Sequence, residues 1–255
     1  MIAWDKIQPL YERKAYRIVQ KHISAILKGI PARNISFATL DYTLHANITD
    51  EQIKAMFVDV YSTIGINYGN RVNKDLEKVK KIANVLFNQF LLSEILAFLN
   101  NEGGIKIVSV KNTLIDDLIK AIKEQLGENA TVIDLQNAIY AIVQRSQSFY
   151  KWQALRIART ETTFAAGYAA IKTAEQSDLA LTKEWISAVD NRTRHDHLIE
   201  NGQRVDLSAS FVMADGSKMD YPGDTKAPAS QVINCRCTIA FKAKRDINGM
   251  LIFKQ

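Results

Sequence analysis

Glu184-Trp185-Ile186-Ser187-Ala188-Val189, then Asp190-Asn191-Arg192-Thr193-Arg194-His195-Asp196-His197, and further on Asn234-Cys235-Arg236-Cys237-Thr238-Ile239-Ala240-Phe241 mark where a helical chain turns into a β-containing one. The first and last runs are short, apolar and rich in β-branched residues, and they read as strands. Arg204-Val205-Asp206-Leu207 is a third such piece, and Gly202, Gly216, Pro222, Gly223 and Pro228 punctuate the region as turns. Both cysteines of the chain stand in Asn234-Cys235-Arg236-Cys237.

Upstream of Asp178 the pattern is helical. Residues 4–28 repeat apolar side chains at three- and four-residue steps (Trp4, Ile7, Leu10, Tyr11, Ala15, Ile18 and, at the end, His22), which places them on one helix face. Lys6, Arg13, Lys14, Arg17, Lys21 and Lys28 fill much of the rest, either as a solvated surface or as a face for nucleic acid or a partner. Gly29 and Pro31 end this helix. Thr49 or Asp50 caps a second helix to about Tyr68, and a third runs from about Val72 to Asn100, ending at the hinge-like pair Gly103-Gly104. Ile105–Val110 alternates enough to predict a short strand or extended link, with a helix over Leu114–Leu126 after Asn112 or Thr113. Thr131 and Asp134 form a capping-box pattern for a helix to about Arg145. Lys151–Gln176 is helical again, with Trp152, Leu155, Ile157, Ala158, Phe164, Ala165, Tyr168 and Ile171 as core positions. The expected fold class is α+β: a largely helical N-terminal region over 1–149, a small mixed α/β domain with short antiparallel strands over 150–245, and a tail over 246–255.

Composition narrows the function classes. At 47% hydrophobic and 24% charged residues the chain is ordinary for a protein that buries a core. The net charge of +6 is spread along the chain, which permits contact with nucleic acid without specifying it. Two cysteines are too few for a disulfide-built secreted domain, and Met1-Ile2-Ala3-Trp4-Asp5-Lys6 lacks the basic and apolar parts of a signal peptide. Polar residues interrupt the most apolar stretch, Ala83–Leu99, so a buried helix is expected there and no membrane span. A reducing cytoplasm is the expected place of synthesis.

Two groups of side chains are candidate sites. Cys235 and Cys237, if extended, point to the same side. They can share a metal with His197, and His195 or Asp190 could complete a tetrahedron of mixed ligands, zinc being the ion that such a set suits. Alternatively both sulfurs pack as small apolar groups while His197 is hydrogen-bonded internally. A Cys235–Cys237 disulfide is disfavoured by geometry and by compartment. Arg156 and Arg159 are neighbours across one helical turn, with Glu161 close by. They can offer a double guanidinium to a carboxylate or phosphate, or form a buried ion-pair network with Asp190, Asp224 or Glu161 that clips the helix to the β region. Arg192 and Arg194 could touch phosphates. Glu161, Asp190, His195 and His197 could form an acid-base set or a metal nuclease site. Neither a hydrolase nucleophile motif, a phosphate-binding loop nor a dinucleotide fingerprint accompanies them.

One ordered series remains: Arg156 to Glu161, Trp185, Asp190 to His197 with Arg194, Asn201 to Val205, Phe211, Pro222, and Asn234-Cys235-Arg236-Cys237. Over roughly residues 150–242 it resembles the phage Mu F-like minor head protein family. The resemblance implies a minor head (minor capsid) protein of a tailed phage or prophage, acting in head morphogenesis. It also implies association with the portal protein, with the major capsid or scaffolding protein of the procapsid interior, and with packaged double-stranded DNA. The implied location is the virion head or portal region, with the host cytoplasm during assembly and no membrane. Some relatives carry an enzymatic toxin module after the Cys-x-Cys motif; too little chain follows Cys237 here for a further domain, so a non-enzymatic structural protein is expected. Two other readings stand beside it: a sequence-independent DNA-binding protein for genome packaging or ejection, and a metal-dependent enzyme using Glu161 and His197.

Overall fold

The structure, a computed structural model, describes residues 4–80, 87–145 and 147–254. The helices are α1 (Trp4–Lys28), α2 (Leu40–Asn47), α3 (Asp50–Lys80), α4 (Phe87–Asn101), α5 (Gly104–Glu124), α6 (Val132–Arg145) and α7 (Gln147–Gln176). Then follow β1 (Leu181–Ile186), α8 (His195–Ile199), β2 (Arg204–Asp206), β3 (Phe211–Val212), β4 (Lys218–Met219), α9 (Ala229–Val232) and β5 (Thr238–Ala243). Helices followed by short antiparallel strands make this an α+β chain, as the sequence predicts. The residues group into two compact units, one of Met1–Ala15, Val60–Ala97 and Ala158–Gln255, the other of Tyr16–Asp59 and Phe98–Ile157.

The second unit is helical. Its part of α1 buries Val19, Ile23, Ile26 and Leu27, while Ile18 stays half-exposed. The apolar stripe of α1 as a whole advances by threes and fours from Trp4 through Gln8, Tyr11, Ala15, Val19 and Ile23, so Leu10 ends up half-exposed and His22 turns to Asp59 at 2.8 Å. All six of the basic residues named above on α1 are exposed. Thr49 and Gln52 cap α3 reciprocally: the Thr49 N–H donates to Gln52 Oε1 at 2.9 Å and the Gln52 N–H to Thr49 Oγ1 at 3.3 Å. Thr131 and Asp134 do the same for α6. Ile105–Val110 is not a strand but the start of α5. Its burial continues at helical steps through Ile107, Leu114, Ile115, Leu118 and Ile122, and that long stripe outweighs the local preference of β-branched residues for a strand. Gly103-Gly104 is the tight turn into α5, where a Cβ on Gly103 would come within 2.9 Å of Leu99 Cα. The short helix α2, burying Leu40 and Leu44, has no counterpart in the sequence reading. Trp152, expected in the core, is exposed and carries the Arg156 guanidinium 4.5 Å above its ring.

The first unit is built around the second half of α7. From Glu161 to Gly167 every residue of that helix is buried, so it is covered on all sides rather than amphipathic. The expected break near Gly69–Arg71 is absent, since α3 continues to Lys80. Gly65 and Gly69 let neighbours approach instead: a Cβ would meet Ile95 Cδ1 at 3.1 Å in the first case and Leu91 Cδ1 at 2.5 Å in the second. Phe87 and Leu91 of α4 pack with Ala169 of α7. The expected buried helix over Ala83–Leu99 begins among the described residues at Phe87; residues 83–86 lie outside them.

The sheet of this unit has the order β2-β1-β5, all antiparallel, with Lys183 opposite Val205 on one side and Phe241 on the other. β1 starts and ends three residues earlier than Glu184–Val189 predicts. Ser187 leaves the ladder because its N–H goes to Asn201 Oδ1 at 2.9 Å, and Val189 has a positive φ of 53°. β1 alternates strictly, burying Leu181, Lys183 and Trp185. The lysine on that inner face is 1% exposed; it donates to the Asp220 carbonyl at 2.8 Å and lies over the Phe211 ring. Burial pushes its pKa down, partly offset by Asp220 and Asp224. β3 and β4 form a separate two-stranded ribbon. No described helix is long and apolar enough to cross a membrane.

A buried His-Cys-Cys cluster as candidate metal centre

Cys235, Arg236 and Cys237 precede β5, so their backbone is outside the ladder and needs other partners. Helix side chains supply them. The Asn234 N–H donates to Thr160 Oγ1 at 3.0 Å, Thr163 Oγ1 donates to the Cys235 carbonyl at 2.5 Å, and Trp4 Nε1 donates to the Arg236 carbonyl at 2.9 Å. Tyr68 and Thr238 hydroxyls meet at 2.9 Å one residue further on. The turn into this segment requires a left-handed residue, and Asn234 takes it with φ 56°. Four helix side chains thus hold an extended segment in one register, and both sulfurs face the same side.

What they face is His197. A turn at Asp190–Thr193 delivers it: Asp190 Oδ1 accepts the Arg192 N–H at 2.9 Å, and the Asp190 N–H donates to Thr193 Oγ1 at 3.1 Å. The same carboxylate takes both arms of the Arg236 guanidinium, each at 2.5 Å. That fork holds Asp190 well below the usual carboxylate range and raises Arg236 above its own. Arg194 donates to the Ile233 carbonyl at 2.5 Å, tying the start of α8 to the end of α9. His197, the third residue of α8, is 1% exposed and packs edge-on against Trp185 with ring centroids 5.3 Å apart.

His197 Nδ1 lies 3.6 Å from Cys235 Sγ and 3.4 Å from Cys237 Sγ. One donor atom from each of the three residues lies within 4.8 Å of the others, and all three residues are buried. Both thiols are free and buried. A hydrogen bond with Cys237 and burial push Cys235 well up, while the same bond, with His197 and Ser187, holds Cys237 well down. Two sulfurs and one imidazole nitrogen at this spacing are donors suited to zinc or another borderline-soft divalent ion.

His195 is exposed and Asp190 is held by Arg236, so neither completes the cluster. Arg156 and Arg159 take different carboxylates rather than a shared one, Asp117 at 3.6 Å and Glu12 at 3.7 Å, and not Asp190 or Asp224. Glu161 is buried and accepts the Tyr61 hydroxyl at 2.5 Å. Asp224 folds its own loop, accepting the N–H groups of Asp220 and Lys226. Arg192 is exposed. Sequence reasoning missed Gln231, which contacts His197 Nε2 at 2.9 Å, because a lone glutamine near a proline carries no motif. It missed the roles of Ser187 and Thr163 for the same reason, and read Thr160 only as part of the Arg156–Glu161 series, without its contact to Asn234.

A family model described as phage Mu protein F like protein matches residues 112–240, which include every residue of the cluster. The chain is also 33% identical over 108 residues to the NAD(+)–arginine ADP-ribosyltransferase EFV of Enterococcus faecalis, a match covering 38% of this chain and 20% of that protein. The chain therefore spans about a fifth of the length of that relative. No solved structure matches it. With half of its length under the family model, and the Arg-Thr-Arg-x-x-His and Asn-Cys-Arg-Cys segments meeting in one buried cluster, the chain belongs to the phage Mu protein F-like family.

Proposed function

We propose that this phage head-related protein is a minor head protein of a tailed phage or prophage, working as a structural component of head morphogenesis. The observation that carries the reading is the family match over residues 112–240. The way the motif residues are used supports it. Asp190 is spent on Arg236, Asn234 on Thr160, the Cys235 carbonyl on Thr163, and His197 is buried; such groups hold a fold rather than meet a substrate. Ile105, Ile133, Tyr140 and Trp152 are exposed apolar side chains on α5, α6 and α7. They are the surface we assign to docking on the portal or the procapsid shell. The exposed lysines and arginines of α1 are the surface we assign to packaged DNA. A zinc ion on His197, Cys235 and Cys237 acts in this reading as a staple of the small β region.

The test is to isolate procapsids and mature particles of the encoding phage and look for the chain with the portal. Its presence at low copy in both is expected; a clean absence from particles overturns the reading. Binding to random-sequence DNA that falls steeply with salt supports the DNA contact, and negligible binding at low salt removes it.

A second reading comes from the Enterococcus relative, whose name assigns it transfer of ADP-ribose from NAD to arginine. It requires NAD turnover with an arginine acceptor by the purified chain. Such turnover would put catalysis ahead of assembly, and its absence removes this reading.

A further inference from the structure

His197 Nε2 contacts Gln231 Oε1 at 2.9 Å, and the Gln231 amide nitrogen donates to Asp196 Oδ2 at 2.9 Å and to Asp215 Oδ2 at 2.7 Å. Two carboxylates around one amide nitrogen settle which end of the amide is which: a carbonyl oxygen placed between two carboxylate oxygens would be repelled by both. The oxygen end therefore faces His197, and an amide oxygen only accepts. It follows that His197 carries a proton on Nε2, so that in the neutral ring Nδ1 is the nitrogen left to offer its lone pair. Nδ1 is the atom that faces both sulfurs.

Each carboxylate in this relay is itself fixed. Asp215 accepts the Ser217 N–H at 2.9 Å and the Ser217 hydroxyl at 2.6 Å in the turn between β3 and β4. Asp196 sits in the first turn of α8, directly before His197. Gln231 is 4% exposed, and α9, which carries it, leads straight into Asn234-Cys235-Arg236-Cys237. Sulfur ligands and imidazole orienter thus come from one continuous piece of chain.

From this we propose that Gln231, held by Asp196 and Asp215, is a positioning residue that selects the Nε2–H tautomer of His197. The cluster with Cys235 and Cys237 is thereby preorganised for a borderline-soft divalent cation through Nδ1. The proposal rests on reading these three residues as zinc ligands. Orienting partners of this kind typically change metal affinity by about 10–100-fold when removed.

The test uses the full chain, reduced and metal-free, with zinc alone as the probe in competition with a chromogenic chelator. Gln231→Met keeps the volume but cannot accept the Nε2 proton, and about 10–100-fold weaker zinc binding is expected. The variant Asp196→Asn/Asp215→Asn/Gln231→Glu reverses the relay's polarity: the asparagine amides donate to the new carboxylate, which again accepts from Nε2. Wild-type affinity should return, which general damage to the fold would not allow. Imidazole 15N shifts of the metal-free wild type should show the proton on Nε2. A wild type that binds no zinc overturns the ligand reading and this proposal together. Zinc bound equally by wild type and Gln231→Met, or an Nε2 without a proton, overturns the role of Gln231 alone.

Discussion

Asn234 and Val189 both occupy the left-handed region, with φ of 56° and 53°, and the two residue types tolerate it differently. Asparagine's short polar side chain is at ease there, whereas a β-branched residue clashes with its own backbone, at roughly 1–3 kcal/mol. Val189→Gly should therefore raise stability by about 1 kcal/mol, and Asn234→Val should lower it by about 1–2 kcal/mol; urea midpoints measured side by side check both. The pair Asp190–Arg236 gives a pH signature. Its fork depresses the folded pKa of Asp190, so the contribution is complete above the ordinary carboxylate range and disappears as pH falls below it. Asp190→Asn has nothing to lose in that window. The stability gap between wild type and Asp190→Asn should thus be widest at neutral pH and close on acidification. A gap that stays constant would show that the pair contributes through shape rather than charge.

At the level of elements, glycines separate packing from freedom. Gly167 lies in α7 where a Cβ would come 2.9 Å from the Pro222 carbonyl oxygen and 2.6 Å from Tyr221 Cδ2, while Gly104, opening α5, has nothing within 4 Å. Gly167→Ala should cost about 1–3 kcal/mol by forcing the Tyr221-Pro222 loop away from the helix. Gly104→Ala should gain a few tenths, approaching at most ~1 kcal/mol, from helix propensity. Thermal melting that moves in opposite directions for the two variants is the expected result. The Tyr221–Asp224 loop tightens against α7 at a second point: Gly223, φ 87°, would place a Cβ 3.0 Å from the Phe164 nitrogen. The elements themselves differed in legibility. The capping box of Thr131 and Asp134 was readable because the pattern and the hydrogen bond are the same fact, while the choice of Thr49 over Asp50 came from the bond to Gln52. Ile105–Val110 was misread because six residues of β-branched alternation are shorter than the helical stripe that governs them.

For the molecule as a whole, the ion is expected to act on stability by mass action. Zinc at about a hundredfold over its dissociation constant adds about 2.7 kcal/mol if only the folded state binds it. Chelation should then lower the melting temperature of the wild type, and leave Cys235→Ser/Cys237→Ser unchanged; calorimetry with and without chelator checks this.

The sequence by itself determined the α+β order of elements, the capping box at Thr131, a cap at Thr49 or Asp50, the three strands of the sheet to within a few residues, and the family, because each rests on local periodicity or on an ordered series of motifs. It also brought His197, Cys235 and Cys237 forward as a set through their scarcity. Only the tertiary structure decided that residues 4–15 and 60–80 pack with the β region, that Arg156 and Arg159 part company, and that Gln231 faces His197. Those facts depend on which side chains meet across long stretches of chain. A glutamine's role as acceptor is fixed by two carboxylates that no spacing in the sequence connects to it.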